Sequence, residues 1–176
     1  TYDNVGPSYA ISNVIVEGNY CSECHQGMML SADKYYLSDG LIIRNNIFTN
    51  TKSWCATIHN IKNVKVYNNT CDATGGIHGM GCRFGASCEF KNNIFYGGSL
   101  YWFESATIID GTTDAPGKNN LLYKPDKVIT GYWNDIVNKD PLFFNRTSGN
   151  YRLLASSPAI DAGAVISDWS GATDRD

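Results

Sequence analysis

The sequence has no excess of positive charge, no long apolar run and no helical periodicity. Lys and Arg number 14 against 17 Asp and Glu, a net charge of -3 over 176 residues. A nucleic-acid binder would carry a basic stripe, so that class is set aside. No stretch approaches the 18 or so apolar residues that span a membrane. The start has no basic segment followed by an apolar one, so no signal peptide is visible. The chain begins at Thr1 rather than Met, and we read it as a mature form or a piece of a longer protein. Prolines are few, five in all. No Asp-rich loop has calcium spacing, and no Gly-rich loop ends in the Lys-Ser/Thr of a phosphate loop.

What is abundant is asparagine, 18 residues or about one in ten. Asn is disfavoured inside helices and accepted in turns and left-handed positions. The asparagines are also ordered. Val14–Cys21, Leu41–Phe48, Val64–Cys71 and Cys88–Phe95 share one pattern of alternating apolar residues, an Asn pair or its equivalent, and two more strand residues. Lys118–Tyr123 is a weaker copy. The second Asn of each falls at 19, 46, 69, 93 and 120, at spacings of 27, 23, 24 and 27.

Period-2 alternation is a strand signal. Short strands in a repeat of about 24 residues cannot bury a face alone, but stacked as coils they can. The fold expected is therefore all-β, a parallel solenoid of about five coils, each rising about 4.8 Å. The coils run over about residues 11–124, and a loop-rich cap over about 125–176 completes a single domain. Equivalent asparagines would bond to one another along the stack. A β-sandwich is the competing fold and leaves the spacing unexplained.

The repeated φ-x-φ-x-Asn-Asn-φ-φ resembles right-handed parallel β-helix proteins of the pectate-lyase-like superfamily. The closing run Asp140–Phe144, Gly149–Leu154 and Ser157–Gly163 resembles the segment that ends many secreted bacterial β-helix proteins, and Gly171–Asp176 the start of the tail that follows it. The resemblance implies a right-handed β-helix, an extracellular or periplasmic location and a polysaccharide partner. The activities it implies are those of a lyase, an epimerase or a hydrolase, with a noncatalytic glycan-binding or surface and structural β-helix protein as the alternative. It alone points to calcium.

Between the repeats lie further short strands, and their register places candidate chemistry. With Met28/Leu30, Ala56/Ile58, Cys82/Phe84 and Tyr101/Phe103 inward, Met29, Thr57, Arg83 and Trp102 form one outward column. Ser31, His59, Gly85 and Glu104 form the next. Arg83 would pair with a uronate carboxylate. Trp102 and Thr57 would contact the sugar, and His59 or Glu104 would move protons. For elimination or epimerisation, His59 and Arg83 are the expected pair. Hydrolysis needs two carboxyls about 5–9 Å apart, and Glu104 has no clear second. The structural alternative is a solvated polar face. Glu17, Arg44, Tyr67 and Lys91 form an outward column of that kind.

Cys21-Ser-Glu-Cys24-His25 matches the pattern of covalent haem attachment, and the same residues offer three zinc ligands. Against both, Cys21 holds the repeat position of Phe48, Cys71 and Phe95, which makes it a small core residue. Six cysteines permit disulfides. Cys21 and Cys71 are two coils apart and too distant; Cys55–Cys82, Cys21–Cys24 and Cys82–Cys88 are the expected options, with free thiols the remaining one. Open strand edges on an end coil imply either further chain or self-association into a homo-oligomer.

Overall fold

The computed structural model describes residues 12–32, 38–74, 78–84, 86–97, 99–104, 107–108, 117–123 and 135–166, with the backbone alone at 99–104, 107–108 and 117–118. Gly85 of the expected column and the 171–176 tail lie outside the described residues.

The chain is an all-β parallel solenoid. Three sheets form its faces, and every strand in them pairs in parallel with its equivalent one coil away. The first face stacks Ile15–Glu17, Ile42–Arg44, Val64–Tyr67 and Ser87–Lys91. Ser87–Lys91 then pairs with Thr107–Ile108 along its first half and with Gly117–Lys118 along its second. The second face stacks Tyr20–Ser22, Ile47–Thr49, Thr70–Asp72, Ile94–Tyr96, Leu121–Tyr123 and Ile136–Val137. The third stacks Met28–Ser31, Trp54–His59, His78–Arg83 and Ser99–Glu104. The solenoid completes about three turns rather than five. The repeat was counted at one bend, and the second face does carry six rungs; among the described residues the third face carries four.

The core follows from the alternation. Val16, Ile43, Val66 and Phe90 are register partners on the first face, and the last three are fully buried. Phe48, Cys71 and Phe95 do the same on the second. Ala56, Ile58, Met80 and Cys82 line the third from within.

The asparagines divide their work. The first of each pair turns the corner in the left-handed region, at φ 54, 52, 56 and 58 for Asn45, Asn68, Asn92 and Asn119, with Gly18 taking that place in the first coil at φ 69. Asn accepts this conformation at less cost than most residues. The second of each pair points inward and forms the ladder. Each Oδ1 accepts both the backbone N–H and the amide of the Asn one coil earlier, at 2.8–3.0 Å from Asn19 through Asn120. From Asn46 to Asn120 these groups are buried at the corner, so the side-chain acceptor meets a need that burial creates.

All six cysteines are paired: Cys21–Cys24, Cys55–Cys71 and Cys82–Cys88. Two of the expected local pairs form, and Cys55–Cys82 does not. Cys82 lies opposite Ile58, while Cys55 reaches across the interior to Cys71 of the next coil, with Cα atoms 5.9 Å apart. The Cys21–Cys24 bond occupies the two sulfurs that haem or zinc would need.

The cap docks on the second face. Its antiparallel hairpin, Phe143–Asn145 with Asn150–Leu153, is held by Asp72. That carboxylate is 1% exposed as a side chain and accepts from Arg146 at 2.8 Å and from the Tyr151 hydroxyl at 2.7 Å. Burial pushes the Asp72 carboxyl up, but hydrogen bonds from Thr74, Arg146 and Tyr151 outweigh it and hold the group below its ordinary 3.8. The strap that follows lies along the corner asparagines. Asn92 donates to the Ala164 carbonyl at 2.9 Å and accepts from its N–H at 2.7 Å, and Asn119 donates to Ala162 at 2.6 Å.

Candidate functional site

The third face brings most of the candidate residues together, in a register two residues away from the expected one in its third coil. Met28, Ala56, Met80 and Tyr101 are partners, as are Leu30, Ile58, Cys82 and Phe103. The inward pair of that coil is therefore Met80/Cys82 rather than Cys82/Phe84. Phe84 lies past the strand end, at φ 53 and 42% exposed. Arg83 moves accordingly: its partners are His59 and Glu104, and Thr57 faces Gly81 and Trp102 instead. Ser31, His59, Arg83 and Glu104 are thus one register column on four successive coils. A shift by two residues keeps a side chain on its face while changing its neighbours.

Arg83 is the centre of the face. Its guanidinium carbon lies 4.6 Å from the Phe84 ring centroid and 5.8 Å from that of Trp54. His59 packs edge-on to Phe84, with centroids 4.8 Å apart, and His78 tilts against Trp54 at 4.1 Å. Cation–π contacts of this kind contribute about 0.5–2 kcal/mol each and fix the plane of the guanidinium. The Trp54 ring lies across Gly81: a Cβ there would stand 2.7 Å from Cζ3. Glycine at 81 is what lets the indole settle against the outer side of the sheet. Trp54, His59, His78 and Arg83 are each partly exposed, so the cluster is a surface feature.

Thr57, expected to touch a ligand, does not reach the surface. It is 2% exposed, with the Gln26 amide donating to its hydroxyl. Trp102 and Glu104 hold register positions on the face, opposite Gly81 and Arg83. The expected column on the first face keeps its register, with Glu17, Arg44, Tyr67 and Lys91 aligned and an Arg44–Glu17 ion pair at 2.9 Å, but Tyr67 is buried at 3% exposure rather than solvated. Such an exposed pair contributes at most about 1 kcal/mol.

Sequence reasoning did not single out Trp54. The signal that would have singled it out is Gly81, the one residue in the Thr57 column that leaves room for a ring. Among the described residues, no group of three or more His, Cys, Asp or Glu is placed to hold a metal ion.

Chemically, the face offers a fixed cation flanked by aromatic surface, with two imidazoles beside it. A guanidinium held this way recognises a carboxylate, and the rings offer apolar faces against which a sugar can stack. Compared with protein-family models, curated proteins and solved structures, the chain matches none.

Proposed function

We propose that the protein is a carbohydrate-active solenoid that binds a uronic-acid-containing polysaccharide along its third face. The observation that carries this reading is the Arg83 guanidinium held between Trp54 and Phe84. A uronate sugar pairs an anionic group with apolar ring faces, and the cluster pairs a cation with aromatic ones. The resemblance of the repeat and closing segment to pectate-lyase-like β-helix proteins supports the same substrate class. Three disulfides and no free thiol support an oxidising, extracytoplasmic setting.

The second reading is eliminative cleavage of the bound polymer. It is favoured by His59, Arg83 and Glu104 occupying one register column. Arg83 would neutralise the uronate carboxylate and so acidify the α proton, and His59 would remove it; the C4–C5 double bond forms as the C4–O bond breaks, and the departing oxygen takes a proton from water.

The test is affinity electrophoresis and titration calorimetry with polygalacturonate, alginate and a neutral glucan. Binding is expected to both uronate polymers and not to the glucan. Arg83→Ala and Trp54→Ala should each weaken it by about tenfold or more, since hydrogen bonds to a charged group contribute about 1.5–3 kcal/mol, while the circular dichroism of the fold is kept. Unchanged affinity in both variants would sink the reading. Ultraviolet absorbance from an unsaturated product in the same incubations decides between binding and cleavage.

A further inference from the structure

Each rung of the ladder from Asn46 to Asn120 makes one more bond, and the rung that follows carries an oxygen where the donor should be. The amide nitrogen of each Asn donates to a first-face carbonyl of the preceding coil. Asn46 reaches Val16 at 2.9 Å, Asn69 reaches Ile43 at 2.9 Å, Asn93 reaches Val66 at 2.8 Å and Asn120 reaches Phe90 at 3.2 Å. These acceptors are one register column, and its next member is Gly117. The ladder does not end at Asn120. Asp135 stands in the sixth position, just before Ile136–Val137 of the second face, and its Oδ1 accepts from the Asn120 N–H at 2.8 Å and the Asn120 amide at 3.3 Å. Asp135 Oδ2 then occupies the place of the amide nitrogen. It is buried and makes no hydrogen bond among the described residues. The register aims that place at the Gly117 carbonyl, which is an acceptor, so an ionised Asp135 would set two acceptors against each other.

We propose that the folded protein favours the protonated form of Asp135, that its Oδ2–H then donates to the Gly117 carbonyl as the asparagines do, and that this makes the end rung a proton-operated latch. It closes when the carboxyl is protonated and opens when it ionises. The opening falls beside the strap, since the adjacent residue of the previous rung, Asn119, is the one that holds Ala162.

Burial raises the Asp135 carboxyl from 3.8 to about 6, against the lowering effect of the two Asn120 donors. The titratable residues of the adjoining segments are Lys118, Tyr123 and Lys139. Among the described side chains, Asn120 alone acts on the carboxyl, besides burial. Because the folded value is raised, folding takes up a proton between about 3.8 and about 6. The stabilisation is complete below that window and is lost as pH rises through it.

The experiment is chemical denaturation of the whole chain from pH 4 to 7.5, comparing the protein with Asp135→Asn. The amide variant keeps every bond of the rung without needing a proton, and the difference between the two cancels every other group common to both proteins. The folded-to-unfolded ratio of the unmodified protein, relative to Asp135→Asn, should fall by about a hundredfold across this range, leaving the variant the more stable at pH 7. A difference independent of pH, or a variant less stable at pH 7, overturns the proposal. A carbon-detected NMR titration of the Asp135 carboxyl in the unmodified protein is a second measurement, independent of how the variant folds. A midpoint near 6 is expected, and one near the ordinary aspartate value overturns it.

Discussion

Truncating one internal rung of the ladder should cost far more than truncating its first. Asn69 is 1% exposed. Its amide donates to Asn93 Oδ1 at 3.0 Å, to the Ile43 carbonyl at 2.9 Å and to the Tyr67 carbonyl at 3.0 Å. Its Oδ1 accepts from the Asn46 N–H and the Asn46 amide, both at 3.0 Å. In Asn69→Ala the Asn46 amide still has Val16, and Asn93 Oδ1 still has the Asn69 N–H. The Asn46 backbone N–H is left buried without its acceptor. Such an orphan costs about 1–3 kcal/mol, and the four remaining lost bonds about 1 kcal/mol each, so a loss of about 5–7 kcal/mol is expected. That is a large part of the 5–15 kcal/mol typical of a domain. Asn19→Ala is the control. Asn19 is exposed and donates to Asn46 and the Glu17 carbonyl, so about 1 kcal/mol is expected there. Urea denaturation followed by circular dichroism gives both values, and hydrogen exchange of the Asn46 amide locates the damage. Equal losses in the two variants would show that the ladder is ornament on a fold held by its sheets alone.

The Cys55–Cys71 bond closes a loop of 16 residues, and removing it as the double Ala variant should cost about 3 kcal/mol in the chain-entropy account, against about 2 for Cys21–Cys24 with its separation of 3; thermal unfolding that ranks the two the other way would contradict it. Asp72 should make the cap acid-sensitive. Its folded value is depressed, so its stabilisation is present above about 3.8 and is lost as pH falls through the lower folded value. The unmodified protein should become open to proteolysis within Phe143–Leu153 at acid pH, whereas Asp72→Asn should already be open at pH 5 and change little further; an acid response that persists in the variant would assign it to another group.

The solenoid was legible because the same corner recurs under the same constraint. Each corner needs one residue in the left-handed region and one buried acceptor, and Asn serves both needs. Among the described residues, nine asparagines take positive φ, including Asn13, Asn50, Asn60, Asn63 and Asn138 outside the repeated pairs. The composition was thus recording more corners than the pairs revealed. Asp135 escaped notice for the converse reason: a search for Asn does not find an acid doing the work of an amide, although Asn134-Asp135-Ile136-Val137 has the form of the other copies.

The third face was misread by two residues because Gly79 and Gly81 remove the contrast between inward and outward positions in His78–Arg83. With Arg83 set against Thr57, Cys82 falls opposite Ala56 and beside Cys55, which is how the incorrect disulfide arose. The two errors have one cause. Inward residues are constrained by the coils on either side, so a pattern of size and polarity survives in them. Outward residues answer only to solvent or to a ligand, and a glycine there is silent in the pattern even when it makes the site. Gly81 weakens the periodic signal and, by the same lack of a side chain, lets Trp54 lie beside Arg83. The residue that most obscured the register is therefore the one on which the proposed glycan face depends, and Gly81→Ala, by displacing the indole, should weaken uronate binding without removing any side chain of the face.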